Sequence, residues 1–136
     1  MTLCILLMMP RIKQNLTKNF KLSEFACKDG TPVPNLYRFN VQKLADNLQV
    51  LRDYINKPIK INSGYRTVTH NNAVGGSPKS QHLKAKAADI VVKNMTPKEL
   101  KDIIEHLISI GSMKQGGIGL YNTFVHYDIR VTKARW

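Results

Sequence analysis

From Val41 to Ile55 the apolar residues fall at Val41, Leu44, Leu48, Leu51 and Ile55. That spacing lines one face of a helix, and Asn56-Lys57-Pro58 ends it. Ile59-Lys60-Ile61 then alternates as a short strand, and Ser63-Gly64 opens a loop. Residues 63–86 mix glycine, serine, histidine and asparagine with little periodicity. A long irregular stretch in a small domain is functional or disordered. Residues 87–92 (AADIVV) read as a buried strand. Thr96-Pro97-Lys98-Glu99 is a capping box with proline at the first helical position. Leu100, Ile103, Ile104, Leu107 and Ile108 form the apolar face of the helix it starts, and Gly111 stops that helix. Gly117 to Val131 reads as two short strands around a turn near Asn122. Upstream, Asp29-Gly30 marks a turn, and Pro32 and Pro34 forbid regular helix. The pattern predicts an α+β domain, a small antiparallel sheet with flanking helices.

A chain of 136 residues supports one domain with a modest core. Residues 1–18 read as a variable leader and residues 19–136 as the domain. The apolar run Leu3–Met9 is far below the ~20 residues that span a bilayer. No Lys or Arg precedes it, so it lacks the charged start of an export signal. It is expected to be a terminal extension. Action outside the membrane would then need another route, such as host lysis or virion delivery. The net charge of +12 predicts attraction to a polyanion. No Lys/Arg block stands out and aromatics are only 7%, which argues against nucleic acid and leaves an anionic membrane surface or an anionic cell-wall polymer open. Cys4 and Cys27 make neither a disulfide framework nor a CxxC pair, and Cys27 is expected to be a small buried residue. A monomer is expected.

The candidate chemistry sits in the strands. Asp89 lies inside AADIVV, and a buried carboxylate needs a metal, an arginine or a set of donors. In residues 124–131 (FVHYDIRV), Phe124, His126, Asp128 and Arg130 share one face of a strand, while Val125, Tyr127, Ile129 and Val131 share the other. His82 ends the irregular stretch. His82, Asp89 and His126 together offer two imidazoles and one carboxylate, a three-ligand set for zinc with the fourth position open. Each residue alone has an ordinary explanation. A strand histidine is often only hydrogen-bonded, Asp89 could pair with a lysine, and Asp128 with Arg130. Arg66, in INSGYR, could clamp a carboxylate bidentately or form a structural ion pair. Ser80 and Gln81 are further candidates for substrate binding, Ser80 equally for capping a turn. His70 is expected to be a polar loop residue and His106 a surface one.

INSGYRT, SQHLKAKAADI, GGIGLYNTFVHYDIR and the final ARW resemble the M15 family of zinc peptidoglycan peptidases. They are most similar to its small D-alanyl-D-alanine carboxypeptidase-like branch, over roughly residues 19–136. The resemblance implies the small α+β domain shared with hedgehog-type zinc domains. It implies Zn2+ held by His82, Asp89 and His126, with Arg66 and Ser80 at the substrate's carboxylate end. The implied reaction is hydrolysis of peptide bonds in peptidoglycan stem peptides or cross-links, by a carboxypeptidase or an endolysin-like endopeptidase acting on the wall. Two positions depart from the pattern. Ala85 stands where the family usually has glycine, and Thr123 where many members carry an acidic general base. Asp128, on the strand face of His126, is therefore the expected base, with Tyr127 or a loop donor at the oxyanion. A competing register makes Asp128 the third ligand and His126 its neighbour. The rival reading is a zinc-dependent wall-binding module without catalysis, favoured by Thr123.

Overall fold

The computed structural model describes residues 14–136, so Leu3–Met9 and Cys4 lie outside the described residues. Of the expected leader, residues 14–18 fold onto the domain. Gln14 O accepts the Leu22 amide at 2.6 Å, and Leu16 is buried in the core.

Helix α1 (Arg38–Ile55) buries Val41, Leu44, Ala45, Leu48 and Leu51, the face its periodicity marks out. Asn56 ends it in the left-handed conformation, φ 51°, which asparagine tolerates better than most residues. Strand β1 (Ile59–Ser63) and strand β2 (Ala87–Val92) pair antiparallel. Helix α2 (Val68–Ala73) and a 3-10 turn (Gln81–Lys84) lie between them in sequence. Helix α3 (Pro97–Ser109) begins at the Thr96–Glu99 capping box and buries Leu100, Ile104 and Leu107. Strands β3 (Gly117–Leu120) and β4 (Val125–Asp128) form a hairpin. A two-residue strand β5 (Ala134–Arg135) closes the order β1-β2-β4-β3-β5. The fold is α+β, as the sequence pattern predicts, but the sheet is mixed because β5 runs parallel to β3. The span 63–86 is also more ordered than its composition suggests, since it contains α2.

The sheet separates packing from chemistry. Ile59 and Ile61, Ala88, Ile90 and Val92, Ile118, and Val125 and Tyr127 belong to one apolar cluster with α1 and α3. The alternate positions put Asp89, His126 and Asp128 on the opposite face. Register completes the arrangement: β2 pairs with β4 so that Asp89 lies directly across from His126. Beside them, Gly119 lies across from His126 and Gly117 from Asp128. Among the described residues no helix is long and apolar enough to cross a membrane.

Candidate metal centre

Three of the residues singled out in the sequence converge. His82, Asp89 and His126 are all buried, and their ligand atoms lie within 4.8 Å of one another. Asp89 Oδ1 is the hub, 3.2 Å from His82 Nε2 and 3.0 Å from His126 Nδ1. His82 is delivered by the 3-10 turn, whose first amide groups are organised by Ser80 Oγ accepting the His82 amide. That turn closes on Ala85 in the left-handed region, φ 57°.

The outer nitrogen of each ring fixes its tautomer. His82 Nδ1 lies 2.7 Å from the Gly64 carbonyl, which can only accept. His126 Nε2 lies 2.7 Å from the Asp128 carboxylate. Both outer nitrogens must therefore carry hydrogen. In neutral rings, His82 Nε2 and His126 Nδ1 then turn bare lone pairs toward Asp89 Oδ1. Three lone-pair atoms facing one point repel unless a proton or a cation lies among them. This donor set fits a divalent ion such as zinc, and carbonyl and carboxylate partners behind the rings are the usual support for metal-binding histidines.

The charges follow from the same contacts. Burial pushes the Asp89 carboxyl up, but its close contacts with the His126 and His82 rings outweigh it and hold the group well below the usual carboxylate range. Burial likewise opposes charge on Asp128, and the bonds from His126 and Arg130 again win. For His126, burial favours the neutral ring, yet its bonds to Asp128 and Asp89 raise its pKa above the ordinary histidine value.

Asp128 is placed differently from the expected base. Its side chain is fully buried. Oδ1 accepts from the Gly117 amide at 2.9 Å, the Arg130 amide at 3.1 Å and Arg130 Nε at 2.8 Å. Oδ2 accepts from His126 Nε2 and Arg130 Nη2, each at 2.7 Å. A carboxylate has about four lone-pair sites, so none is left for a water proton. The competing register fares no better, because His126, not Asp128, supplies the atom nearest Asp89. Tyr127 points into the core, and its hydroxyl donates to the Lys114 carbonyl at 2.7 Å, away from any oxyanion.

The trio floors a cavity of about 650 Å3. Arg66, Lys79 and Arg130 give its wall positive charge, and Tyr121, Phe124 and Trp136 make it aromatic. Ser80 and Gln81 also line it. Arg66 donates from Nε to Ser63 Oγ at 3.1 Å, and from its two terminal nitrogens to Asn71 Oδ1 and Asp89 Oδ2, each at 3.3 Å. Of its five N–H groups, the two not used in these bonds remain for a ligand. His70 stands on α2 away from the trio, and His106 is exposed beside Tyr54.

The peptidase M15 profile matches residues 18–128. The chain belongs to the peptidase M15 family. Similar curated proteins include the peptidoglycan L,D-endopeptidase MepK of Escherichia coli K12 and that of Shigella flexneri. Each is 34% identical over 79 residues, 53% of this chain and 40% of the relative. The M15 chain thus covers well under half the length of these relatives.

Several residues around the cleft take no role from the sequence, although Trp136 closes the ARW that belongs to the family resemblance. Asn71 is 1% exposed and ties Arg66 to the Ser77 carbonyl through its two amide atoms. Trp136 packs 5.0 Å from the His126 ring, stands 5.2 Å from the Arg130 guanidinium, and donates from Nε1 to the Tyr121 hydroxyl at 2.7 Å. Gly119 permits this, because a Cβ there would sit 2.5 Å from the indole nitrogen. A Cβ at Gly117 would similarly strike Asp128 Oδ2. The alternation Gly-Ile-Gly at 117–119 is the signal that could have been read, since glycine within a strand marks a close approach.

Proposed function

We propose that this chain is a zinc-dependent peptidase of bacterial peptidoglycan, cutting peptide bonds in stem peptides or cross-links. The observation that carries the reading is the meeting of two nitrogen lone pairs on Asp89 Oδ1 at the floor of a cationic, aromatic cleft. The M15 relatives named as peptidoglycan L,D-endopeptidases favour an internal bond over the terminal D-alanine. His82, Asp89 and His126 would hold the ion. When bound, zinc supplies Lewis acidity toward a carbonyl oxygen and makes water a usable nucleophile near neutral pH. Arg66, through its two remaining N–H groups, and Ser80 and Gln81 at the same rim would orient a substrate carboxylate. Asp128 orients His126 and holds its outer N–H, in place of the base role expected from sequence. The site of action is the cell wall, where the charge of +12 would favour an anionic polymer.

The test is mass spectrometry of purified peptidoglycan after incubation with zinc-loaded protein, with and without chelator. Chelator-sensitive release of stem or cross-link fragments supports the endopeptidase, and loss of one terminal alanine supports the carboxypeptidase. His82→Ala and Asp89→Ala are each expected to abolish zinc binding at this centre and hydrolysis together. Full activity in a metal-free variant would sink the proposal. One observation favours a second reading, a wall-binding module without catalysis. Among the described residues Asp89 is the only carboxylate lining the cleft, and Thr123 is exposed. Stoichiometric zinc and wall binding without any mass change across several wall chemotypes would select it.

A further inference from the structure

A second cluster of metal-binding atoms lies outside this centre. Cys27 Sγ, a carboxylate oxygen of Asp29 and a ring nitrogen of His70 all lie within 4.8 Å of one another. The chain brings them together from two directions. Cys27 and Asp29 flank a tight turn, closed by the Gly30 amide donating to the Cys27 carbonyl at 2.9 Å, with Gly30 at φ 98°. His70 stands in the first turn of α2. Thr67 knits the two together. Its hydroxyl donates to Asp29 Oδ2 at 2.8 Å, accepts the His70 amide at 3.1 Å and lies 4.0 Å from Cys27 Sγ.

The three side chains are poised rather than satisfied. Cys27 is buried, His70 half-buried and Asp29 exposed, so the cluster opens to solvent on one side. Among the described residues the His70 ring makes no hydrogen bond, and the Cys27 thiol meets only other members of the cluster, Thr67 at 4.0 Å and the Asp29 carboxylate. Asp29 accepts from the Thr31 amide at 2.9 Å and from Thr67 at 2.8 Å, and the Thr31 and Cys27 side chains also lie against its carboxylate. Thiolate, imidazole and carboxylate are the three donor types zinc takes from proteins. Tetrahedral bonds of about 2.0–2.3 Å place such donors roughly 3.3–3.8 Å apart. Small rotations of Asp29 and His70, neither locked in the core, close the set to that size.

We propose that Cys27, Asp29 and His70 form a second divalent-cation site, for zinc-like ions that accept sulfur and nitrogen, with solvent completing the shell. The sulfur and nitrogen donors select against magnesium and calcium, which take oxygen ligands. An ion there fastens the turn at 27–30 to α2. Asn71, the next residue on α2, holds Arg66 at the cleft, so the ion steadies a wall of the first centre without reaching its atoms. This site does not depend on what the first centre binds or does.

Cobalt(II) titration of the full-length apo-protein tests it, followed by near-ultraviolet absorption for a sulfur-to-cobalt charge-transfer band, with bound zinc counted by native mass spectrometry. A cobalt–thiolate band is expected, with two zinc ions per chain when the first centre is filled as well. Cys27→Ser should remove the band and one ion, while Cys4→Ser and His82→Ala should leave the band in place. His70→Ala alters only a half-buried ring and reports even where Cys27→Ser packs badly. It should weaken cobalt binding at the thiolate by more than about tenfold. The absence of the band, or its survival in Cys27→Ser, overturns the proposal.

Discussion

Asp89 and Asp128 are two buried carboxylates on either side of one imidazole, and their surroundings divide their work. Asp89 turns Oδ1 toward the two inner ring nitrogens and Oδ2 toward Arg66, at the cleft floor. Asp128 accepts only from groups behind His126. An orienting carboxylate acts through the ligand it holds, and losing one typically lowers metal affinity about 10–100-fold. Asp128→Asn should therefore shift the zinc titration of activity by that factor and recover near-normal turnover at saturating zinc. A general base would give no such recovery. The same scale explains what was legible. A period of two along residues 124–131 puts His126 and Asp128 on one face. It cannot say which of their atoms meet, because that depends on the register with β2 and on Arg130, whose guanidinium reaches back two residues to occupy Asp128.

At the scale of elements, α1 and α3 were readable because each buries a regular apolar stripe. Helix α2 was not, because its sequence VTHNNA has no such stripe. Its start is set by Thr67 accepting the His70 amide, and its buried residue is Asn71, a polar one. Strand β5 has two residues and exists by virtue of its pairing with β3, so no local pattern announces it. Ala85 is a case where the family pattern is informative. It ends the 3-10 turn that delivers His82 with φ 57°, where an L-residue costs about 1–2 kcal/mol. Glycine would remove that cost but expose the loss of a buried methyl, ~0.8 kcal/mol, and add about 0.4–1 kcal/mol of unfolded-state entropy. These terms nearly cancel. Ala85→Gly should change unfolding free energy in urea by less than about 0.5 kcal/mol, so the departure from glycine is tolerable and leaves His82 where it is.

For the molecule as a whole, electrostatics act at two ranges. Arg135 of β5 pairs with Glu105 of α3, with Nη2 2.8 Å from Oε1 and Nε 3.0 Å from Oε2. The hydrogen bond from Arg135 holds the Glu105 carboxyl below its ordinary value. A carboxylate depressed in the folded state stabilises above its unfolded pKa, about 4.3, and that contribution is lost as pH falls through the folded value. The gap in melting temperature between the parent chain and Glu105→Gln should thus be open at neutral pH and close below about pH 4. At longer range the charge of +12 is screened. Retention on purified wall should fall sharply between about 0.05 and 0.5 M salt, as the Debye length shrinks toward a few ångströms. The bare Cα at 119 has a consequence for how such a chain can diversify. Any side chain introduced there collides with Trp136 and displaces the indole from beside His126. One codon can therefore widen or reshape the cleft. The shape of the cleft can thus drift by single mutations with no change at His82, Asp89 or His126.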